Sequence, residues 1–307
     1  MEFNKQLSFS QIKFQNLEKL RGQKPDAVVF IGMGGSGQVG DMVAGLKKEL
    51  GIPVSVVVWK NCGLPETNFQ NPLFIFVSFS GNTEEMLSGF NLVENKAAVC
   101  SGGKLLEIAK ASNAPIAMFE NPGIKPRQSG GYMFYGAVGI LKAVFPEMKI
   151  ETPVLANPEK QGESIAKKLK DKIALVYSSQ KNTHIAYNWK TRLNETAKIP
   201  AFCAVVPEIC HNEIEIFENK KFGDKIAVIL IKDKQDKDCA GQKMEKLEKL
   251  FKKNKIGVLP LELKGKTETE KMWTSLLLAD WVSYHLAKLG QLDPAATNLI
   301  DELKLTK

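Results

Sequence analysis

The apolar positions of this chain gather in short unbroken runs, separated by longer stretches that carry a single apolar stripe. Ala27-Val28-Val29-Phe30-Ile31 and Pro72-Leu73-Phe74-Ile75-Phe76-Val77 have the length and composition of buried strands. Val54–Val58, Ala97–Cys100 and Pro115–Met118 read the same way. Between them, Gln38–Leu50 places Val39, Met42, Val43 and Leu46 on one helical side, and Glu84 onward, Lys104–Ala111 and Gln128–Val144 are further helices. Ahead of all these, Phe3, Leu7, Ile12, Phe14, Leu17 and Leu20 predict an opening helix over residues 3–21. Pro146, Pro153 and Pro158 mark a linker, so residues 1–150 and 151–307 are expected to be separate domains.

The pattern then resumes. Strands are predicted at Ile173–Tyr177, Ala201–Val206, Lys225–Ile231 and Ile256–Leu261. Helices are predicted at Pro158–Leu169, Asn182–Asn194, Gly241–Lys252 and Glu268–Leu289. Asp293-Pro294 is a good helix start, and Leu299, Ile300 and Leu303 are the expected anchors of a last helix from Asp293 to Leu303. Strands alternating with helices at this spacing imply an α/β fold: two doubly wound parallel sheets, each an αβα sandwich, with ligands at the carboxyl ends of strands.

Two turns fall at such ends. Ser78-Phe79-Ser80-Gly81-Asn82-Thr83 follows a strand and opens a helix, with three hydroxyls around a turn-forming glycine. The first N–H groups of a helix lack intrahelical partners and favour negative charge, so this is a candidate anion site. The same residue types also serve as ordinary N-caps. Gly32-Met33-Gly34-Gly35-Ser36-Gly37 is the second turn and fits the glycine spacing of a dinucleotide site. The following strand, however, ends in Trp59-Lys60 where that site needs an acidic residue, so the turn reads instead as a second backbone cradle.

Composition narrows the picture. A chain of 307 residues that is 44% hydrophobic and 25% charged is an ordinary globular protein with room for two cores. The net charge of +8 comes from lysine, since Arg21, Arg127 and Arg192 are the only arginines. The lysines crowd into Lys160–Lys172 and Lys232–Lys255 without interleaved aromatic rows, which argues against nucleic-acid binding. Cys62, Cys100, Cys203, Cys210 and Cys239 show no metal-type spacing and are odd in number, which points to a reducing compartment. No apolar signal core or membrane span is evident, so the expected location is cytoplasmic, with no membrane partner.

Taken together, Gly34-Gly35-Ser36-Gly37 and Ser78–Thr83 resemble the two cradles of a sugar isomerase (SIS) domain. Lys125-Pro126-Arg127-Gln128-Ser129-Gly130-Gly131-Tyr132, Leu193-Asn194-Glu195-Thr196-Ala197-Lys198, His211-Asn212-Glu213 and the segment from Asp293-Pro294 to Leu303-Lys304 extend the likeness. In that order, the blocks resemble the bifunctional phosphoglucose/phosphomannose isomerases from about Val28 to the C-terminus.

What the resemblance implies is an aldose–ketose isomerase of hexose 6-phosphates acting through an enediol, without metal or cofactor. Gly35, Ser36, Ser78, Ser80 and Thr83 would hold the phosphate. Glu195 would be the base and Arg127 would stabilise the enediolate. His211 and Lys304 would open the sugar ring, and Thr297 would admit the mannose epimer. The histidine would come from the second subunit of a homodimer. The family pattern leads one to expect asparagine where Thr196 stands. Two other readings use the same fold. A sugar-phosphate-binding regulator keeps the cradle and loses the catalytic set, so Glu195, Arg127, His211 and Lys304 together favour the enzyme. An amidotransferase-type aminosugar isomerase would bring an N-terminal cysteine nucleophile, where this chain has Glu2.

Overall fold

A computed structural model describes residues 3–305 and divides the chain into two compact units, one ending at Val154 and the other beginning at Leu155. Unit 1 holds a six-stranded sheet made of β1 (Ile12–Gln15), β2 (Ala27–Ile31), β3 (Ser55–Trp59), β4 (Leu73–Ser78), β5 (Lys96–Cys100) and β6 (Ile116–Phe119). Its order is β1-β6-β5-β4-β2-β3, and every pairing is parallel except that of β1 with β6.

The helices of this unit are α1 (Gly34–Gly45), α2 (Lys47–Leu50), α3 (Glu84–Phe90), α4 (Gly103–Ala111) and α5 (Gly130–Val144). Parallel strands must bury both faces, which is why β2 and β4 are unbroken apolar runs. Val29, Ile31, Phe74 and Phe76 pack on Met86 and Phe90 of α3 and on Leu105 and Ala109 of α4. On the opposite face α1 and α5 lie against each other and against the sheet.

The opening helix expected over residues 3–21 does not form. Two 3-10 turns, Phe3–Gln6 and Phe9–Gln11, lead into β1, and a third follows at Leu17–Leu20. The apolar spacing there suits alternation better than a helical stripe: Ile12 is buried, Lys13 exposed, Phe14 half-buried and Gln15 exposed. Asn16 then turns the chain with φ at 57°.

Unit 2 holds β7 (Ile173–Ser179), β8 (Ala201–Val206), β9 (Ile226–Lys232) and β10 (Gly257–Glu262), all parallel, in the order β10-β9-β7-β8. That order repeats β5-β4-β2-β3 of unit 1, strand for strand. Its helices are α6 (Glu159–Leu169), α7 (Thr183–Arg192), α8 (Lys220–Gly223), α9 (Cys239–Lys253), α10 (Glu268–Leu289) and α11 (Asn298–Leu305). Leu175, Tyr177, Val228 and Leu230 face Met244, Leu247 and Phe251 of α9, while α10 packs on α6 and α7.

The last helix starts at Asn298 and not at Asp293. Asp293 uses its carboxylate to accept the N–H of Ala295 at 2.8 Å, closing a turn that ends before the helix begins. Nor do its expected anchors dock within the chain: Leu299 is 81%, Ile300 41% and Leu303 73% exposed.

Candidate active site

In unit 1 the two predicted cradles meet. β2 and β4 are hydrogen-bonded neighbours, so the turns after them lie side by side at the carboxyl end of the sheet. The Ser36 hydroxyl, buried in the first turn of α1, accepts the Phe79 N–H at 3.0 Å and donates to Met133 Sδ at 3.4 Å. The buried Ser78 hydroxyl accepts the Gly81 N–H at 3.0 Å and lies 3.0 Å from the Thr83 hydroxyl. Ser36 therefore pins one turn to the other and Ser78 holds the second turn in shape, while Ser80 is exposed and Thr83 half-buried.

Thr83 occupies the N-cap position of α3, and Met33 that of α1, yet neither side chain caps its helix. An N-cap role thus does not account for the hydroxyls of this turn. Gly81 has φ at +71°, and a Cβ there would lie 1.8 Å from the Gly102 carbonyl, so only glycine fits. Gly35 also lies close to the turn that carries Arg127: a Cβ on it would be 2.9 Å from the Arg127 nitrogen. Arg127 itself, in the 3-10 turn Pro126–Gln128, is buried. The structure thus brings Gly35, Ser36, Ser78, Ser80, Thr83 and Arg127 to one end of unit 1.

In unit 2, α7 ends in a π-helical turn, Leu193–Ala197, that presents Glu195 half-buried. π turns hold one residue more than the α-helix and are frequent at functional sites. Several bonds fix this one. Asn194 donates to the carbonyls of Ile199 and Ala201 at 3.0 and 3.3 Å. Arg192 pairs with Asp280 of α10 at 2.8 Å, both buried, and donates to Asn188 Oδ1 at 2.8 Å. Thr196, where asparagine was expected, points inward and is buried. Lys198 closes the turn with φ at 57°, and its ammonium bonds the carbonyls of Glu195, Thr196 and Asp293. It therefore ties the Glu195 turn to the segment leading into α11.

That segment carries Thr297, which donates to Asp301 at 2.9 Å, and α11 itself carries Lys304, which is exposed. His211 is exposed at the end of the 3-10 turn Glu208–His211. The carboxylates near it in sequence are engaged, Glu208 by Asn212 and Glu213 by the Tyr177 hydroxyl. His184, in the first turn of α7, is a core residue, 6% exposed.

The family described as "Bacterial phospho-glucose isomerase C-terminal SIS domain" matches residues 158–306. A bifunctional phosphoglucose/phosphomannose isomerase of Aquifex aeolicus is 32% identical over 288 residues, covering 90% of this chain and 89% of its own. The chain belongs to the bifunctional phosphoglucose/phosphomannose isomerase family.

A second member of that family, from Caldicellulosiruptor bescii, is 28% identical over 308 residues, with 93% of this chain and 90% of the relative covered. Among solved structures, tagatose-6-phosphate ketose/aldose isomerase from Escherichia coli shares the fold at a TM-score of 0.66 and 15% identity, over 91% of this chain and 87% of that one. At the corresponding strand ends, unit 2 carries a network of ion pairs. Between the ends of β7 and β9, buried Asp233 is held by Lys271 at 2.9 Å and Lys181 at 3.0 Å, and both lysines also reach Glu268. Sequence reading gave no sign of this network or of the Arg192–Asp280 pair, because Asp233 and Asp280 meet their partners across 38 to 88 positions of chain.

Proposed function

We propose that the protein interconverts glucose 6-phosphate and mannose 6-phosphate with fructose 6-phosphate. The observation that carries this reading is the π turn: in a chain of this family, Glu195 is the carboxylate whose backbone is braced by Asn194, Lys198 and the buried Arg192–Asp280 pair. The reaction moves a proton between C2 and C1 of the open sugar through an enediol. A carboxylate near the C–H bond takes and returns that proton, and a cation lowers the energy of the enediolate. Glu195 is assigned the first role and Arg127 the second. His211 and Lys304 exchange protons with the ring and terminal oxygens, histidine because its ordinary pKa lies near neutrality. Thr297 leaves room for the epimeric hydroxyl at C2. Ser80, Thr83 and the N–H groups of both turns hold the phosphate, while Ser36 joins one turn to the other and Ser78 holds the second in shape.

A coupled assay with fructose 6-phosphate tests the activity, and the Glu195→Gln variant tests the base. Glu195→Gln is expected to lower kcat by about 10²–10⁴-fold while calorimetry shows phosphosugar affinity kept. If the sugar binds but neither aldose forms, the protein is a sugar-phosphate-binding regulator. If Glu195→Gln turns over normally, the base is another carboxylate.

A further inference from the structure

Helix α5 begins directly after the Arg127 turn, and its first N–H groups need acceptors from outside the helix. Ser129 stands at its N-cap position but does not cap, and its hydroxyl donates instead to the Lys125 carbonyl at 3.2 Å. The acceptor comes from the far end of unit 1's sequence. Gln6, 3% exposed, accepts the Gly131 N–H on Oε1 at 2.8 Å and donates from Nε2 to the Gln128 carbonyl at 3.0 Å. One planar amide thus grips the backbone on both sides of Ser129-Gly130, immediately after Arg127. The approach requires glycine at 131, where a Cβ would lie 2.5 Å from Gln6 Cγ. On its other side the Arg127 turn lies against Gly35 of the first cradle.

We propose that Gln6 is a positioning residue for Arg127, setting where the guanidinium stands relative to the phosphate cradle; this rests on Arg127's assignment to the enediolate. The physical ground is that the Gln6 amide is buried. Removing it takes the partner from the buried Gly131 N–H and from the half-buried Gln128 carbonyl, and the turn must move to satisfy them. A displacement of about 1 Å at a charge-stabilising group is enough to slow the chemical step by on the order of 100-fold. Substrate anchoring through the cradle would be little affected, so the loss falls on kcat and not on KM.

A double-mutant cycle tests this. The protein, Gln6→Met, Arg127→Ala and the double variant are assayed with fructose 6-phosphate, and Tm is recorded for each. The expected result is a fall in kcat of about 10-fold or more for Gln6→Met, with KM within about 2-fold of the parent and no further fall of kcat when Arg127 is already alanine. Equal losses in both backgrounds, or an unchanged kcat in Gln6→Met, overturn the proposal and leave Gln6 a purely structural cap. If Arg127→Ala alone turns over normally, the assignment of Arg127 fails first and this inference with it. Should Gln6→Met not fold, Gln6→Glu, which keeps the Gly131 acceptor and loses the Gln128 donor, is read in the same cycle against the same outcomes.

Discussion

Burial outweighs every other influence on His184, pushing its imidazole from the ordinary 6.5 down to about 4. The native state therefore keeps this side chain neutral where the unfolded chain would protonate it. Stability from the neutral form is fully present above pH 6.5 and is lost as pH falls towards 4, by up to about 3 kcal/mol across that window. Denaturant unfolding at several pH values should show this decline, and His184→Leu should flatten it. An unchanged slope in the variant would assign the acid sensitivity elsewhere. Sequence alone cannot show such a residue: His184 stands in the first turn of a helix, where side chains face solvent as often as core, and only the folded chain buries it. Glu195 was legible only through the resemblance of its neighbours to a family block, since half-exposed glutamates at helix ends are common in any lysine-rich chain.

At the scale of elements, long apolar runs translated well. β4, β8 and α10 appear within one residue of their expected bounds; β4 is buried along its whole length and α10 is capped by Thr267, which leaves those two little choice. The two chain ends did not translate. The N-terminal segment becomes 3-10 turns and an antiparallel strand because pairing with β6 and gripping α5 satisfy more of its polar groups than a lone helix would. The C-terminal helix is short, and Lys198 holds its lead-in through the Asp293 carbonyl at 2.7 Å. A hydrogen bond to a charged donor at an exposed position contributes about 1 kcal/mol. Lys198→Met should therefore speed amide exchange in residues 293–305 by about 5-fold and lower kcat, while leaving exchange in β7 unchanged. Identical exchange in the variant would mean that the segment is held by other contacts.

For the whole molecule, the alternating pattern was enough to read two α/β units. That the second unit repeats the strand order of the first was hidden, because the two share arrangement without close sequence similarity. Among the described residues no helix is long and apolar enough to cross a membrane. The net charge of +8 gives the surface an attraction for anionic metabolites that weakens as salt rises.

The Asp233 network gives the repeat an arithmetic. A duplicated fold offers two equivalent strand ends, but the residue after β9 is a buried carboxylate, Asp233, paired with two lysines that also hold Glu268. Titration calorimetry with fructose 6-phosphate should give one sugar per chain and not two. A second equivalent would show that the internal carboxylate yields its place.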